Sequence, residues 1–102
     1  MNFSFHPAAE AEHLEQVAWY AARQRAIGAY YHEHFLRTME RVCEGPRQYR
    51  VEFAPDIRRA RLTPFPLTVL FRERSNGFVE VLAVAHNRRR PGYWVLRASS
   101  LK

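Results

Sequence analysis

The run Val79-Glu80-Val81-Leu82-Ala83-Val84-Ala85-His86 constrains the fold more than any other part of the chain. Apolar residues occupy odd and even positions alike, so a strand here is apolar on both faces. Such a strand belongs inside a sheet rather than at its rim. It stops abruptly at His86 and runs into Asn87-Arg88-Arg89-Arg90-Pro91-Gly92-Tyr93-Trp94. Three arginines, a Pro-Gly turn and two aromatics at the end of a buried strand are polar groups held on a rigid frame. That placement suits the recognition of an anion.

Neighbouring segments supply the rest of a sheet. Residues 67–74 read as a second strand, apolar on both faces at Val69, Leu70 and Phe71. Ser75-Asn76-Gly77 is a hairpin signal that returns the chain into residues 78–86. Residues 57–62 read as a third strand, with Ala60 and Leu62 on one side and Arg59 and Arg61 on the other. Tyr49, Val51 and Phe53 alternate before the Pro55-Asp56 turn, as a strand or an extended loop. Residues 3–6 alternate as a short N-terminal strand.

Two helices lie between. Pro7 suits a first helical position, Glu10 and Glu12 favour the positive end of the dipole, and Leu14, Val17, Ala18 and Ala21 recur at helical spacing. The spacing predicts a helix over 8–23. Ile27, Tyr31, Phe35, Met39 and Val42 form a second stripe that Gly45-Pro46 ends. A short join over 24–28 makes the pair an antiparallel hairpin. The element order predicts an α+β domain: an N-terminal strand and a helical hairpin packed on one face of a three- to five-stranded, mainly antiparallel sheet. Residues 98–102 are expected to form a frayed tail.

Composition limits the partners. A chain of 102 residues is expected to be one domain, and its 47 % hydrophobic and 25 % charged content argues against disorder. The net charge of +6 and pI of about 10.2 favour an anionic partner. Lys102 is the only lysine among the sixteen basic residues. The arginine excess fits either a GC-rich coding bias or phosphate recognition, so clustering carries more weight than number. Cys43 is the only cysteine, so no internal disulfide is possible, which fits a reducing compartment. No stretch suggests a signal peptide or a bilayer span, so a soluble cytoplasmic protein without a membrane partner is expected. His32 and His34 lie about 200° apart around a helix and cannot share an ion, so no metal site is expected. Nothing calls for a cofactor.

Several local signatures together resemble the RelE/ParE superfamily of toxins from bacterial type II toxin–antitoxin systems. They are Phe5-His6-Pro7-Ala8-Ala9 opening the first helix, Gly45-Pro46 ending the hairpin, and Ile57-Arg58-Arg59 followed by Leu62 and Phe65-Pro66. The last is Val81 to His86 leading into Arg88-Arg89 and Pro91-Gly92-Tyr93-Trp94. The resemblance implies a small toxin neutralised by a cognate acidic or amphipathic antitoxin. It implies one of two targets, DNA gyrase or the mRNA on a ribosome. Phe65-Pro66 and the strand end at His86 look closer to the gyrase-directed, ParE-like branch.

For metal-independent mRNA cleavage, His86 is the candidate acid or base and Tyr93 the alternative proton carrier. Arg88, Arg90 and Arg61 would clamp the phosphate. Strand alternation would make Arg89 the bystander. Nuclease relatives often carry several lysines near the site, which this chain lacks. The plainer readings are a strand-end histidine bonded to a backbone carbonyl, a solvated arginine turn, and core packing for Trp94. For inhibition by binding, Arg59, Arg61, Arg88 and Arg90 offer a basic surface. Tyr30 and either Trp19 or Tyr20 offer an aromatic one on the hairpin, with a wide helix–helix interface as the plainer alternative. Gyrase-type inhibition is placed ahead of cleavage, with a non-toxic binding relative as a third reading.

Overall fold

The computed structural model describes residues 2–99. Strand β1 is Phe3–Phe5, helix α1 is Pro7–Arg23, and helix α2 is Arg25–Glu44. A 3-10 turn at Pro46–Gln48 leads into strands β2 (Val51–Phe53), β3 (Ile57–Arg61), β4 (Leu67–Glu73) and β5 (Val79–His86), followed by helix α3 (Val95–Ser99). The fold is α+β, as expected. The sheet runs β1-β5-β4-β3-β2, so the doubly apolar strand is interior and only its last residue escapes burial. The β3, β4, β5 and β2 pairings are antiparallel, whereas β1 runs parallel to β5. The sheet is therefore mixed. Entering α1 directly from β1 requires the crossover that a parallel pairing demands.

Local chemistry explains the element ends. His6 Nδ1 accepts the Ala8 N–H at 3.1 Å and caps α1, with Pro7 at the first position. The join between α1 and α2 is the single residue Gln24, shorter than the 24–28 segment expected. Gly28 makes this possible: a Cβ there would lie 2.7 Å from the Ala21 Cβ and 2.9 Å from its backbone. Gly77 has φ +84 in the β4–β5 hairpin, a conformation that favours glycine. The alternating segment at 51–53 is a short edge strand.

The two sheet faces bury different things. Tyr31, Phe35, Met39 and Val42 of α2 pack with Ala60, Leu62, Val69, Phe71, Val81 and Val84 on one face. Phe65 inserts beside Tyr20, Tyr30, Tyr31 and His34, with ring centroids 5.1–5.7 Å apart. The other face buries Ile57, Leu70, Leu82, Ala83 and Ala85 beneath Trp94. A bulge between Leu70 and Phe71 in the β4–β5 register lets adjacent Leu82 and Ala83 both serve this second core. Cover for that face comes from the chain after β5, a role invisible in the local pattern. Ala98 and Ser99 belong to α3, although a tail was expected from Ala98 onward. The Arg72 guanidinium donates to the Ala98 carbonyl at 3.2 Å. Residues 100–102 lie outside those described.

Candidate functional site

A carboxylate from α1 holds the second core in place. Beyond Phe5, β1 no longer covers the edge of β5, so its backbone needs other partners. Glu12 Oε1 accepts the Val84 N–H at 2.9 Å, and the Arg97 guanidinium donates to the Leu82 carbonyl at 2.9 Å. Arg97 also donates to both Glu12 carboxylate oxygens, at 3.0 and 2.9 Å. The Tyr93 hydroxyl donates to Glu12 Oε2 at 2.7 Å. Burial pushes the Glu12 carboxyl up, but Arg97, Tyr93 and the Val84 N–H outweigh it and hold it below its usual range. Burial and then the Glu12 carboxylate raise the Tyr93 phenol well above its ordinary value. Glu12 thus lies past the first turn of α1 and acts on the sheet edge, rather than on the helix dipole as expected.

The clasped segment walls a cleft of about 250 Å³ on the sheet face opposite the helical hairpin. Arg59 and Arg61 of β3, Thr68 and Leu70 of β4, His86, and Arg89 to Trp94 line it. Glu52 of β2 joins them and pairs with Arg59 at 3.1 Å. Thr68 donates its hydroxyl to Asn87 Oδ1 at 2.7 Å across the floor. Among the described residues, the Arg61 and Arg90 side chains have no hydrogen-bond or ion-pair partner. Exposed guanidinium groups beside an apolar floor give this cleft the chemistry to attract an anionic group.

The arginine run divides differently from the expectation. The strand ends at His86, so alternation does not extend through the turn that follows. Arg90 lines the cleft, Arg88 is exposed and does not, and Arg89 does. The Arg89 guanidinium carbon sits 3.9 Å from the centre of the Tyr93 ring. His86 borders the cleft, but its partner across β4 is Leu67, buried in the helix-side core. Cross-strand partners share a face, so the His86 side chain leaves from the helix side. Its Nδ1 accepts the Arg88 N–H at 3.1 Å, in place of the carbonyl bond considered above.

The aromatic candidates on the hairpin also separate. Trp19 and Tyr30 are exposed, and Arg23 lies 3.4 Å over the Trp19 ring. Tyr20 is half-buried and packs on Tyr31 and Phe65. Arg59, Arg61 and Arg90 are together in the cleft, away from these helical aromatics. His32 meets His13 rather than His34: His13 Nε2 lies 3.1 Å from His32 Nδ1, and His13 Nδ1 lies 3.2 Å from the Tyr31 hydroxyl. Burial, then His32, lowers the His13 pKa to about 4. No group of three or more His, Cys, Asp or Glu that could hold a metal occurs among the described residues. Among the same residues, no helix is long and apolar enough to cross a membrane.

A protein-family model described as "ParE toxin of type II toxin-antitoxin system, parDE" matches residues 3–91. The chain belongs to the ParE toxin family. No curated protein matches the sequence. Membership of the ParE family makes this a toxin of a type II toxin–antitoxin pair and implies a cognate antitoxin. The matched span reaches through the arginine turn to Pro91 and stops before the Tyr93 and Arg97 part of the clasp. Glu12 and Arg97 were missed as site-forming residues. Their separation of 85 positions leaves no local signal.

Proposed function

We propose that this toxin arrests growth by binding an essential protein of the DNA gyrase type, without cutting RNA, and that its antitoxin neutralises it by covering basic and aromatic surface. The observation that carries this reading is the commitment of the proton carriers. Cleavage at a 2′-hydroxyl needs an acid and a base aimed at the phosphate. The Tyr93 hydroxyl is donated to Glu12, and His86 spends Nδ1 on the Arg88 backbone. Arg61, Arg89 and Arg90 then serve to bind. On this reading Arg59, Arg61, Arg88 and Arg90, with Trp19, Tyr30 and the flanking Tyr20, contact the antitoxin or the target. The toxin works in the cytoplasm as one domain, with no cofactor.

Ribosome-dependent mRNA cleavage is the second reading. It is favoured by the place of His86 on the cleft border, with Nε2 unbonded among the described residues. Induced expression without antitoxin, with plasmid topology and mRNA 5′ ends followed together, tests both. Growth arrest with relaxed or linearised plasmid and no new mRNA ends is expected. New mRNA ends that vanish in His86→Ala/Arg88→Ala would refute binding as the mechanism. Normal growth would leave a non-toxic binding relative.

A further inference from the structure

We propose that His13 of α1 and His32 of α2 together bind one divalent late transition-metal ion, which pins the helical hairpin. This inference does not depend on how the toxin arrests growth.

The helical spacing that keeps His32 from His34 does not apply to a pair drawn from two helices. Gly28 passes close against Ala21, and His13 meets His32 across the same interface, 19 positions away in sequence. His13 Nε2 lies 3.1 Å from His32 Nδ1. Two nitrogens held about 2.0–2.1 Å from one tetrahedral ion lie about 3.3 Å apart. The rings therefore need to part by only a small fraction of a bond length. His32 is exposed, so its ring can turn until both lone pairs converge on the ion. One hydrogen now lies between the two nitrogens, and the ion takes its place. The ring hydrogens then sit on His13 Nδ1 and His32 Nε2. Each imidazole stays neutral, and no proton is lost overall.

The surroundings of His13 suit a ligand. The residue is only 3 % exposed. Phe5 stacks on its ring with centroids 5.6 Å apart, and Phe35 lies 4.1 Å away, so the ring is held in one orientation. His13 Nδ1 lies 3.2 Å from the Tyr31 hydroxyl. A metal-bound imidazole almost always donates its other N–H to a fixed acceptor, which sets the tautomer. Tyr31 is fully buried, so its oxygen is a fixed acceptor. Imidazole suits Zn²⁺, Ni²⁺ and Cu²⁺, whereas Mg²⁺ prefers oxygen ligands. Among the described residues no third His, Cys, Asp or Glu completes the set, so water fills the other positions. Such an ion is a reversible pin between α1 and α2. The cleft lies on the opposite face of the sheet and needs no ion for its own chemistry.

Isothermal titration calorimetry and thermal melting of the tag-free full chain test this with Zn²⁺, Cu²⁺ and Mg²⁺. Zn²⁺ should bind at one ion per chain, Cu²⁺ more tightly, and Mg²⁺ not at all. At a free-ion concentration roughly a hundredfold above its dissociation constant, Zn²⁺ should raise Tm by about 10 °C or more. His32→Gln should weaken Zn²⁺ binding about tenfold or more, and Tyr31→Phe about tenfold through the lost outer partner. His34→Gln, on the same helix, should leave it unchanged. Absence of Zn²⁺ and Cu²⁺ binding at millimolar concentration, equal binding of Mg²⁺, or an unchanged affinity in His32→Gln would overturn the proposal. An equal loss in His34→Gln would overturn it too. His32 is exposed and the comparison of ions uses the unaltered protein, so the test survives a His13→Gln variant that fails to fold.

Discussion

Glu12→Ala probes how the cleft is held together. The carboxylate receives the Val84 N–H, the Tyr93 hydroxyl and two N–H groups of Arg97. The Glu12 and Arg97 side chains are only 14 % and 18 % exposed, so the pair is largely shielded from water. Breaking a buried pair from one side costs about 3–5 kcal/mol. Arg97 keeps its bond to the Leu82 carbonyl, which places the expected loss near the lower end, about 3 kcal/mol. For a domain of this size that lowers Tm by roughly 10–25 °C. Glu12→Gln keeps one acceptor oxygen and should lose about 2 kcal/mol. Urea denaturation followed by circular dichroism measures both. Emission from Trp94 in a Trp19→Phe background reports whether the clasped segment loosens before the helices melt. A loss within about 0.5 kcal/mol of the parent would place Glu12 among ordinary surface residues. Strict additivity between Glu12→Ala and Arg97→Ala would show that the clasp is not a coupled unit.

Other outcomes follow from the same geometry. His13 has a folded pKa of about 4 against an ordinary 6.5, so it is held neutral. Its stabilisation is present above pH 6.5 and is lost as pH falls towards 4. The loss is about 2 kcal/mol after allowance for exposed His32 beside it, and His13→Gln should flatten that part of a stability–pH curve. An equal slope in parent and variant would remove His13 as the source. Gly28→Ala should destabilise by about 1–3 kcal/mol in urea, because the Ala21 backbone 2.9 Å away must move. That exceeds the roughly 1 kcal/mol gained in helix propensity, so a stabilised variant would contradict the close approach. Tyr93→Phe should cost about 1 kcal/mol and leave growth arrest on induction intact; loss of arrest in a folded variant would restore Tyr93 as a proton carrier.

Much of the fold was legible because it is written in short-range periodicity. Alternation located β3, a run apolar on both faces located β4, the Asn76-Gly77 signal marked the hairpin between β4 and β5, and the Tyr31-Phe35-Met39 stripe marked the buried face of α2. The join between the helices was misjudged because its brevity depends on Ala21 meeting Gly28 across the hairpin. Helix α3 went unseen because five residues carry too little periodicity to read. Arg89 was set aside because alternation was carried past the end of β5 into a turn, where it has no meaning.

The sequence by itself determined that a doubly apolar strand would run through the sheet and deliver basic groups at its end. Side-chain period and burial are local properties, and they require no knowledge of distant residues. Only the tertiary structure decided which of those groups face a common space. Glu12 meets Val84 and Arg97 across 72 and 85 residues, and the bulge at Leu82 and Ala83 reassigns faces within β5. A carboxylate needed to finish one uncovered strand edge thereby also takes the Tyr93 hydroxyl as a donor. What lines that cleft is cationic charge, walled by a segment that an ion pair holds and no local pattern announces.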